Sequence, residues 1–568
     1  GWPVQVLGIN CFSHDTSACL LRDGHIVAFV EEERFNRERH TKRFPDTAIG
    51  YCLEQGGSGL DDVDVVAFAH RPGLDFARGA LDALRRGSPK RLAVQAYVDA
   101  SLARKELGFR RRWGYRGRVV HVGHHDAHAA AAFYASPFDE AAVLTLDRGG
   151  DFLSTTLQHG MGTRLRELAK VRNPDSLGEV YTAFTWYLGF APNADEGKVM
   201  GLAPYGEDKL TAELSDLVRP TPDGRFKVNL DHFAYQREGG WLSKRFLDRY
   251  GPPRVPESEL TELHANLAYV VQDVIEEAAL HVARSLRQHT GSPNLCLGGG
   301  VALNSVMNAR LLHEAGFERI FIQPAASDAG NALGACQWVW HHQLGRPREQ
   351  PMEHAFWGPE FGARACEQAL ARRGLRAEQV ADAPVEAARL LAESKIVGWF
   401  QGRAEVGPRA LGARSILADP RRPDMKDVVN RRVKRREPFR PFAPSVLDER
   451  GPQWFDRYRP NPFMLLVLPV LPERRERIPA VTHVDGSARL QSVSEASNRP
   501  FHRLIAEFER RAGVPVVLNT SFNLRGEPIV LRPDEAVHDF LSSDMDALFL
   551  GDLLVRKPGG GSREAEPR

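Results

Sequence analysis

The chain has 568 residues, too many for one hydrophobic core, so two or three domains are expected. Apolar residues make up 42% and charged residues 26%, the balance of an ordinary soluble globular protein. The 75 basic and 73 acidic side chains leave a formal charge of +2, which gives no general field for nucleic acid and makes any cationic function local.

Val4 to Asn10 reads as a buried strand, followed by a polar loop and by Thr16 to Leu21. Asp23-Gly24 is a two-residue hairpin signal, with His25 to Glu32 as the return strand. Arg118 to Val122 is a strand running into HHDAHAAAAFYAS, whose alanines argue for a helix from about His124. A second strand-loop-strand unit spans Ala142 to Leu157, with its turn expected at Arg148-Gly149-Gly150-Asp151. Two units of one plan are the mark of a duplicated nucleotide-binding fold. Leu260 to His289 has helical periodicity; strand Asn294 to Leu297 leads through Gly298-Gly299-Gly300 to a helix over Asn304 to Ala315. Strand Ile320 to Gln323 follows, and alternation of this kind predicts α/β architecture. The irregular stretch His341 to His354 marks a domain boundary. Beyond it, Val385 to Glu393 reads as a helix preceded by Pro384, and Ile396 to Phe400 as a strand. The expected division is 1–345, 355–557 and a disordered tail, 558–568. No apolar run reaches bilayer length, no signal-peptide pattern opens the chain, and the six cysteines form no CxxC pair, so a cytoplasmic protein is expected.

His124 and His128 stand four residues apart, which places both imidazoles on one helix face and suits a single metal ion. Taken alone, the pair reads more simply as two structural histidines. Asp147 and Asp328 follow similar strand ends, and two imidazoles with two carboxylates suit Fe²⁺, Zn²⁺ or Mn²⁺. His125 should point elsewhere. The Gly298 to Asn304 turn permits close approach of a nucleotide, though it lacks the Walker A and GxGxxG spacings and reads equally well as a tight connection. The C-terminal part gathers cations near turns: Arg403, Arg409 and Arg414, then Lys434 to Arg440, Arg489 and Arg525. Part of Arg431 to Arg436 reads as solvated surface. The rest reads as an anion pocket for a small phosphorylated substrate and a nucleoside triphosphate.

In this order the motifs LGIN, HDTSACLL, EEERF, HHDAHAA, EGKVMGLAPYG, GGGVALNSVMN, PAASDAGNALGA, QGRAEVGPRALGARS, VKRREPFRPFAPS and LNTSFNLRGEPIV resemble the nodulation and antibiotic O-carbamoyltransferase family, over nearly the whole chain. The resemblance implies an actin-like, sugar-kinase-like N-terminal domain, similar to the universal tRNA threonylcarbamoyl-transfer protein. It implies an α+β, YrdC-like C-terminal domain that makes carbamoyl adenylate from carbamoyl phosphate and ATP with Mg²⁺. An acceptor hydroxyl on an antibiotic, macrolide, ansamycin or sugar would then take the carbamoyl group and release AMP.

Carried over by position, the implied metal ligands are His124, His128, Asp147 and Asp328, with Fe²⁺ first and Zn²⁺ or Mn²⁺ as alternatives. Lys434, Arg440, Arg489, Asn519 and Arg525 match positions that bind carbamoyl phosphate or its adenylate, and Arg409 shares their pocket. Gly299, Gly300 and Asn304 match the nucleotide loop, Lys198 lies in EGKVMGL, and His14 matches a transfer-site position where it would accept the hydroxyl proton. Where the family can carry Lys after EEERF, this chain has Arg39, with Lys42 nearby. A closed passage between the two sites is expected, because carbamoyl adenylate hydrolyses readily. Gly73 to Arg116 is expected on the acceptor side or at an interface. No nucleic-acid or membrane partner is expected, and the chain should be a monomer or homodimer. The competing readings are a sugar-kinase-like phosphotransferase, a metallohydrolase built on HxxxH, and a non-catalytic nucleotide-binding module.

Overall fold

A computed structural model describes residues 3–71, 81, 89–235 and 240–557. The tail 558–568 lies outside the described residues, as do 73–80 and 82–88 of the stretch assigned above to the acceptor side. The chain divides into two compact units, one holding Gly1–Asn36 and His40–Met352, the other Arg37–Arg39 and Glu353–Arg568.

The first unit repeats one sheet plan. Strands β1 (Gln5–Asn10), β2 (Ser17–Arg22) and β3 (His25–Glu31) form an antiparallel meander. Strands β4 (Val65–Phe68) and β5 (Arg118–His121) then add in parallel on the far side of β1, giving the order β3-β2-β1-β4-β5. Strands β6 (Glu140–Gly150), β7 (Leu153–Met161) and β8 (Arg164–Arg172) repeat the meander. After a small hairpin of β9 (Val218–Pro220) and β10 (Phe226–Val228), strands β11 (Asn294–Gly298) and β12 (Arg319–Ile322) add in parallel to β6. The second order, β12-β11-β6-β7-β8, is therefore the first one repeated. This is the duplicated plan expected from the two strand-loop-strand segments.

Local sequence explains the turns. Asp23 and Gly24 have φ of 50° and 85°, the mirror-image turn whose twist matches a hairpin. The second meander corrects the expectation: its turn is at Asp151 and Phe152, with φ of 53° and 60°, and Arg148 to Gly150 still belong to β6. The strand runs on because its register breaks between Leu146 and Gly150, a bulge that absorbs the extra residues and re-aims Asp147. Helices His124–Phe133 and Asn331–Gln337, which follow the parallel strands of the two halves, pack on each other so closely that a side chain at Gly334 would meet the Ala127 carbonyl. The alanine-rich sequence after the histidines thus serves close packing as well as helix propensity.

The second unit is built on one mixed sheet. Its strands are β13 (Glu378–Gln379), β14 (Val397–Phe400), β15 (Arg414–Ala418), β16 (Ala443–Leu447), β17 (Leu466–Pro469), β18 (Ser487–Val493), β19 (Val516–Ser521), β20 (Ala547–Leu550) and β21 (Leu553–Arg556). They run in the order β13-β21-β20-β14-β15-β19-β16-β18-β17. Helix Ala383–Ala392 starts two residues before the sequence suggests, because Asp382 accepts a hydrogen bond from Val385 N (3.2 Å) and so becomes the cap. Helix Arg499–Ala512 buries Phe501, Leu504, Ile505 and Phe508, an apolar stripe at helical spacing, and packs against it. Among the described residues no helix is long and apolar enough to cross a membrane.

Candidate active site

His124 is the first residue of its helix, directly after β5, and His128 lies one turn on. Asp147 sits in the β6 bulge, and Asp328 opens the turn that follows β12. All four are buried, and one ligand atom from each lies within 4.8 Å of the others. His124 Nε2 is 3.1 Å from Asp147 Oδ2, 3.1 Å from His128 Nε2 and 3.4 Å from Asp328 Oδ1. His128 Nε2 is 3.4 Å from Asp328 Oδ1 and 3.8 Å from Asp147 Oδ2. Donors bound tetrahedrally at about 2.0–2.2 Å would stand roughly 3.3–3.6 Å apart, so the four fit one divalent ion. Burial alone would neutralise His124, yet Asp328 and Asp147 push it up to about 9. Asp147, although buried, is held well below the usual carboxylate range by His124 and His128. A proton on one imidazole and a dication between the donors would satisfy the same two carboxylates.

Two supports of this cluster carry no sequence signal. Asp151 Oδ2 accepts a hydrogen bond from His124 N at 2.6 Å, fixing the start of the helix. Asn331 Nδ2 lies 3.3 Å from His128 Nε2. His125 points away, as its place between the pair suggested. Its Nε2 faces the carbonyl of Leu153 at 2.9 Å and its Nδ1 the Thr145 hydroxyl at 2.8 Å, and burial pushes it down to about 3.

His14 follows β1 in a loop where Ser13 and Asp15 have φ of 49° and 54°. Its Nδ1 is 3.1 Å from Asp15 Oδ2, an ion-pair distance without hydrogen-bond alignment. His40 Nδ1 meets Asp15 Oδ1 at 2.7 Å. Burial opposes charge on His14, but Asp15 and Asp328 push it up to about 9. Arg39 and Lys42, the alternatives for one cation, are separated: Arg39 groups with the second unit and adds to the positive field on Lys434. Lys42 is exposed, and its carbonyl accepts from Lys105 Nζ at 3.4 Å.

The glycine turn contacts the cluster of His124, His128, Asp147 and Asp328. Gly299 has φ of +91° with the Leu146 carbonyl too close for a side chain, and Gly300 N donates to Asp147 Oδ1 at 3.0 Å. A 3₁₀ turn over Gly300–Leu303 intervenes before helix Ser305–Glu314, which Asn304 caps through Met307 N at 3.1 Å. Asn304 also exchanges two hydrogen bonds with Gln272. Lys198 pairs with Asp195 at 3.2 Å and lies over the Phe190 ring.

In the second unit Arg409, Lys434, Arg436, Arg440 and Arg489 repel one another. Burial and Arg440 push Arg409 down to about 10. Burial lowers Lys434, Arg436 and Arg489 well below their usual ranges, and Arg440 reinforces all three. Lys434 Nζ donates to the Ser521 carbonyl (2.8 Å), the Asn523 carbonyl (2.9 Å) and Asn523 Oδ1 (2.6 Å). Arg409 Nε and Arg489 Nε are buried without hydrogen-bond partners among the described residues. Asn519 Nδ2 donates to the Ala410 carbonyl (3.2 Å) and Gln491 Oε1 (3.1 Å), leaving its buried Oδ1 unfilled. Arg525 lies exposed on the turn after β19. Arg436 is the member that the sequence hid inside a charge run.

The description "Carbamoyltransferase N-terminus" matches residues 5–337, and "Carbamoyltransferase C-terminus" matches residues 388–557. The chain is 41% identical to nodulation protein NolNO of Sinorhizobium fredii, over 96% of this chain and 80% of that protein. It is 40% identical to an uncharacterized protein of Synechocystis sp., over 99% of this chain and 98% of the other. HypF of T. kodakarensis, at 12% identity and a TM-score of 0.34 over 62% of this chain and 50% of that one, adds nothing to the topology described above. By the two matched descriptions and these identities, the chain belongs to the carbamoyltransferase family.

Proposed function

We propose that this carbamoyltransferase is ATP-dependent and acts in two stages. Residues 355–557 hydrolyse carbamoyl phosphate with water to carbamate and orthophosphate, and a carbamate oxygen then displaces pyrophosphate from ATP to give carbamoyl adenylate. Residues 1–345 transfer the carbamoyl group to a hydroxyl of a small natural product. The observation that carries the reading is the cation cluster, in which Lys434 is buried and Arg409, Arg436, Arg440 and Arg489 are half-buried. Cations that repel one another in a desolvated site call for a polyanion, and arginine's planar fork matches phosphoryl oxygens. Arg409 and Arg489 offer donors without partners, and Asn519 Oδ1 offers an acceptor without one. Carbamoyl phosphate carries the complementary set, phosphoryl oxygens and an amide N–H.

His124, His128, Asp147 and Asp328 would hold the divalent ion, Fe²⁺ or alternatively Zn²⁺ or Mn²⁺. When bound, it supplies Lewis-acid charge for the phosphate of the adenylate. Asp328, when it holds a dication, would lend less of the charge that raises His14, and the neutral ring would then take the proton of the attacking hydroxyl through the nitrogen not facing Asp15. The hydroxyl oxygen bonds to the carbamoyl carbon as the bond to the adenylate phosphate breaks, and AMP leaves. His125 is unsuited to the base role of a metallohydrolase, because both its nitrogens are engaged.

Incubating the full chain with ATP, carbamoyl phosphate and a panel of hydroxylated natural products tests the proposal. It expects AMP, pyrophosphate, orthophosphate and one carbamoyl group gained by an acceptor. ADP as the nucleotide product would replace it with phosphotransfer.

A further inference from the structure

The second unit contains another convergence of donors, apart from the cation cluster and from His124 and its partners. Glu527 follows β19, and His538 and Asp539 are consecutive on helix Pro533–Ser542. One ligand atom from each of the three lies within 4.8 Å of the others. Asp539 is 2% exposed, and its Oδ2 has no hydrogen-bond partner among the described residues. Glu527 is half-buried and His538 exposed, so the group opens to solvent on one side.

Ionised carboxylates are acceptors only, and two brought together in a buried place need a positive charge between them. The neighbouring cations Arg37 and Lys434 reach Asp539 only through their charge, and their hydrogen bonds among the described residues go to other groups. Arg37 donates to the carbonyls of Pro528 and Ile529 at 2.8 Å each and pairs with Glu535 at 3.4 Å. Lys434 is bonded to Ser521 and Asn523. A proton shared by the carboxyls would satisfy those two groups, but it gives no account of the imidazole that converges with them. An ion uses all three.

We infer that Glu527, His538 and Asp539 hold a divalent cation whose remaining positions face solvent. Two carboxylates and one imidazole suit Mn²⁺ and similar first-row ions better than Mg²⁺, which favours all-oxygen sites.

The test is Mn²⁺ titration of the metal-stripped full chain followed by electron paramagnetic resonance, in a His124→Ala/His128→Ala background that removes the other cluster. One ion bound per chain, with at least tenfold weaker binding after adding Asp539→Asn, is the expected result. No uptake, or uptake unchanged by Asp539→Asn, overturns the site. If the double substitution fails to fold, the same titration compares the otherwise wild-type chain with Glu527→Gln. One ion fewer in the variant supports the site, and an equal count overturns it.

Discussion

His40 Nδ1 lies 2.7 Å from one oxygen of Asp15, whose other oxygen is 3.1 Å from His14 Nδ1. The carboxylate is therefore held from both sides, and His14 inherits its orientation from a residue beyond the EEERF motif. If His14 is the base, His14→Asn should slow transfer from pre-formed carbamoyl adenylate by about 10²–10⁴-fold. His40→Asn should cost less, because Asp15 remains, and should leave carbamoyl adenylate formation at the parent rate. Single-turnover assays of each half-reaction separate the two. Unimpaired transfer by His14→Asn would remove the base role.

The same histidine gives a pH prediction. Its pKa in the folded chain, about 9, is above the ordinary 6.5. The stability it contributes should be fully present below about pH 6.5 and lost as pH rises through 9. In denaturant unfolding of the metal-stripped chain, the gap between parent and His14→Asn should be widest near pH 6 and close by pH 10. Asp328 is one of the carboxylates raising His14, so a dication held by Asp328 should lower the histidine's pKa, as followed by NMR titration. An unmoved pKa would separate His14 from the metal cluster.

Asp151 supports the cluster without belonging to its four ligands. Its carboxylate accepts the His124 N–H at 2.6 Å, where the helix begins, so Asp151→Ala should free the first turn that carries both imidazoles. Loss of such a support typically costs about 10–100-fold in metal affinity. His124→Ala should abolish binding to this cluster outright, and Asp126→Ala, at the same helix end but outside the donor set, should leave it unchanged. Metal content after dialysis against graded chelator reads all three.

What the sequence carried and what it hid follow from distance along the chain. The hairpin at Asp23-Gly24 and the spacing of His124 and His128 are local, and local periodicity suffices to see them. Asp147 and Asp328 were marked by the similarity of two strand ends, which the duplicated sheets explain. Asp151 and Asn331 were not marked, because each matters through one contact made only on folding. The β6 bulge misled in the same way: Arg148-Gly149-Gly150-Asp151 has turn composition, yet β6 holds all of it but Asp151. Arg436 was lost because a run of basic residues looks alike whether solvated or buried; its contacts with Asn430 Oδ1 (2.8 Å) and the Phe442 ring turn it inward.

That inward turn makes Arg436 the sharpest probe of the anion reading. Its side chain is half-buried, close to the charge of Arg440, and helps to depress Arg489 and Lys434. Removing one member of a mutually repelling group relieves the empty protein, so Arg436→Gln should unfold no more readily than the parent without ligand. The same change should weaken carbamoyl phosphate binding by about 10–100-fold, the scale of a lost charge-assisted hydrogen bond of roughly 1.5–3 kcal/mol. Arg436→Lys should not restore it, since an ammonium lacks the planar fork that reaches Asn430 and stacks on Phe442. Thermal unfolding with and without inorganic phosphate gives both halves of the comparison. Parent protein should gain stability with phosphate and the variant much less, whereas equal gains would place the anion elsewhere.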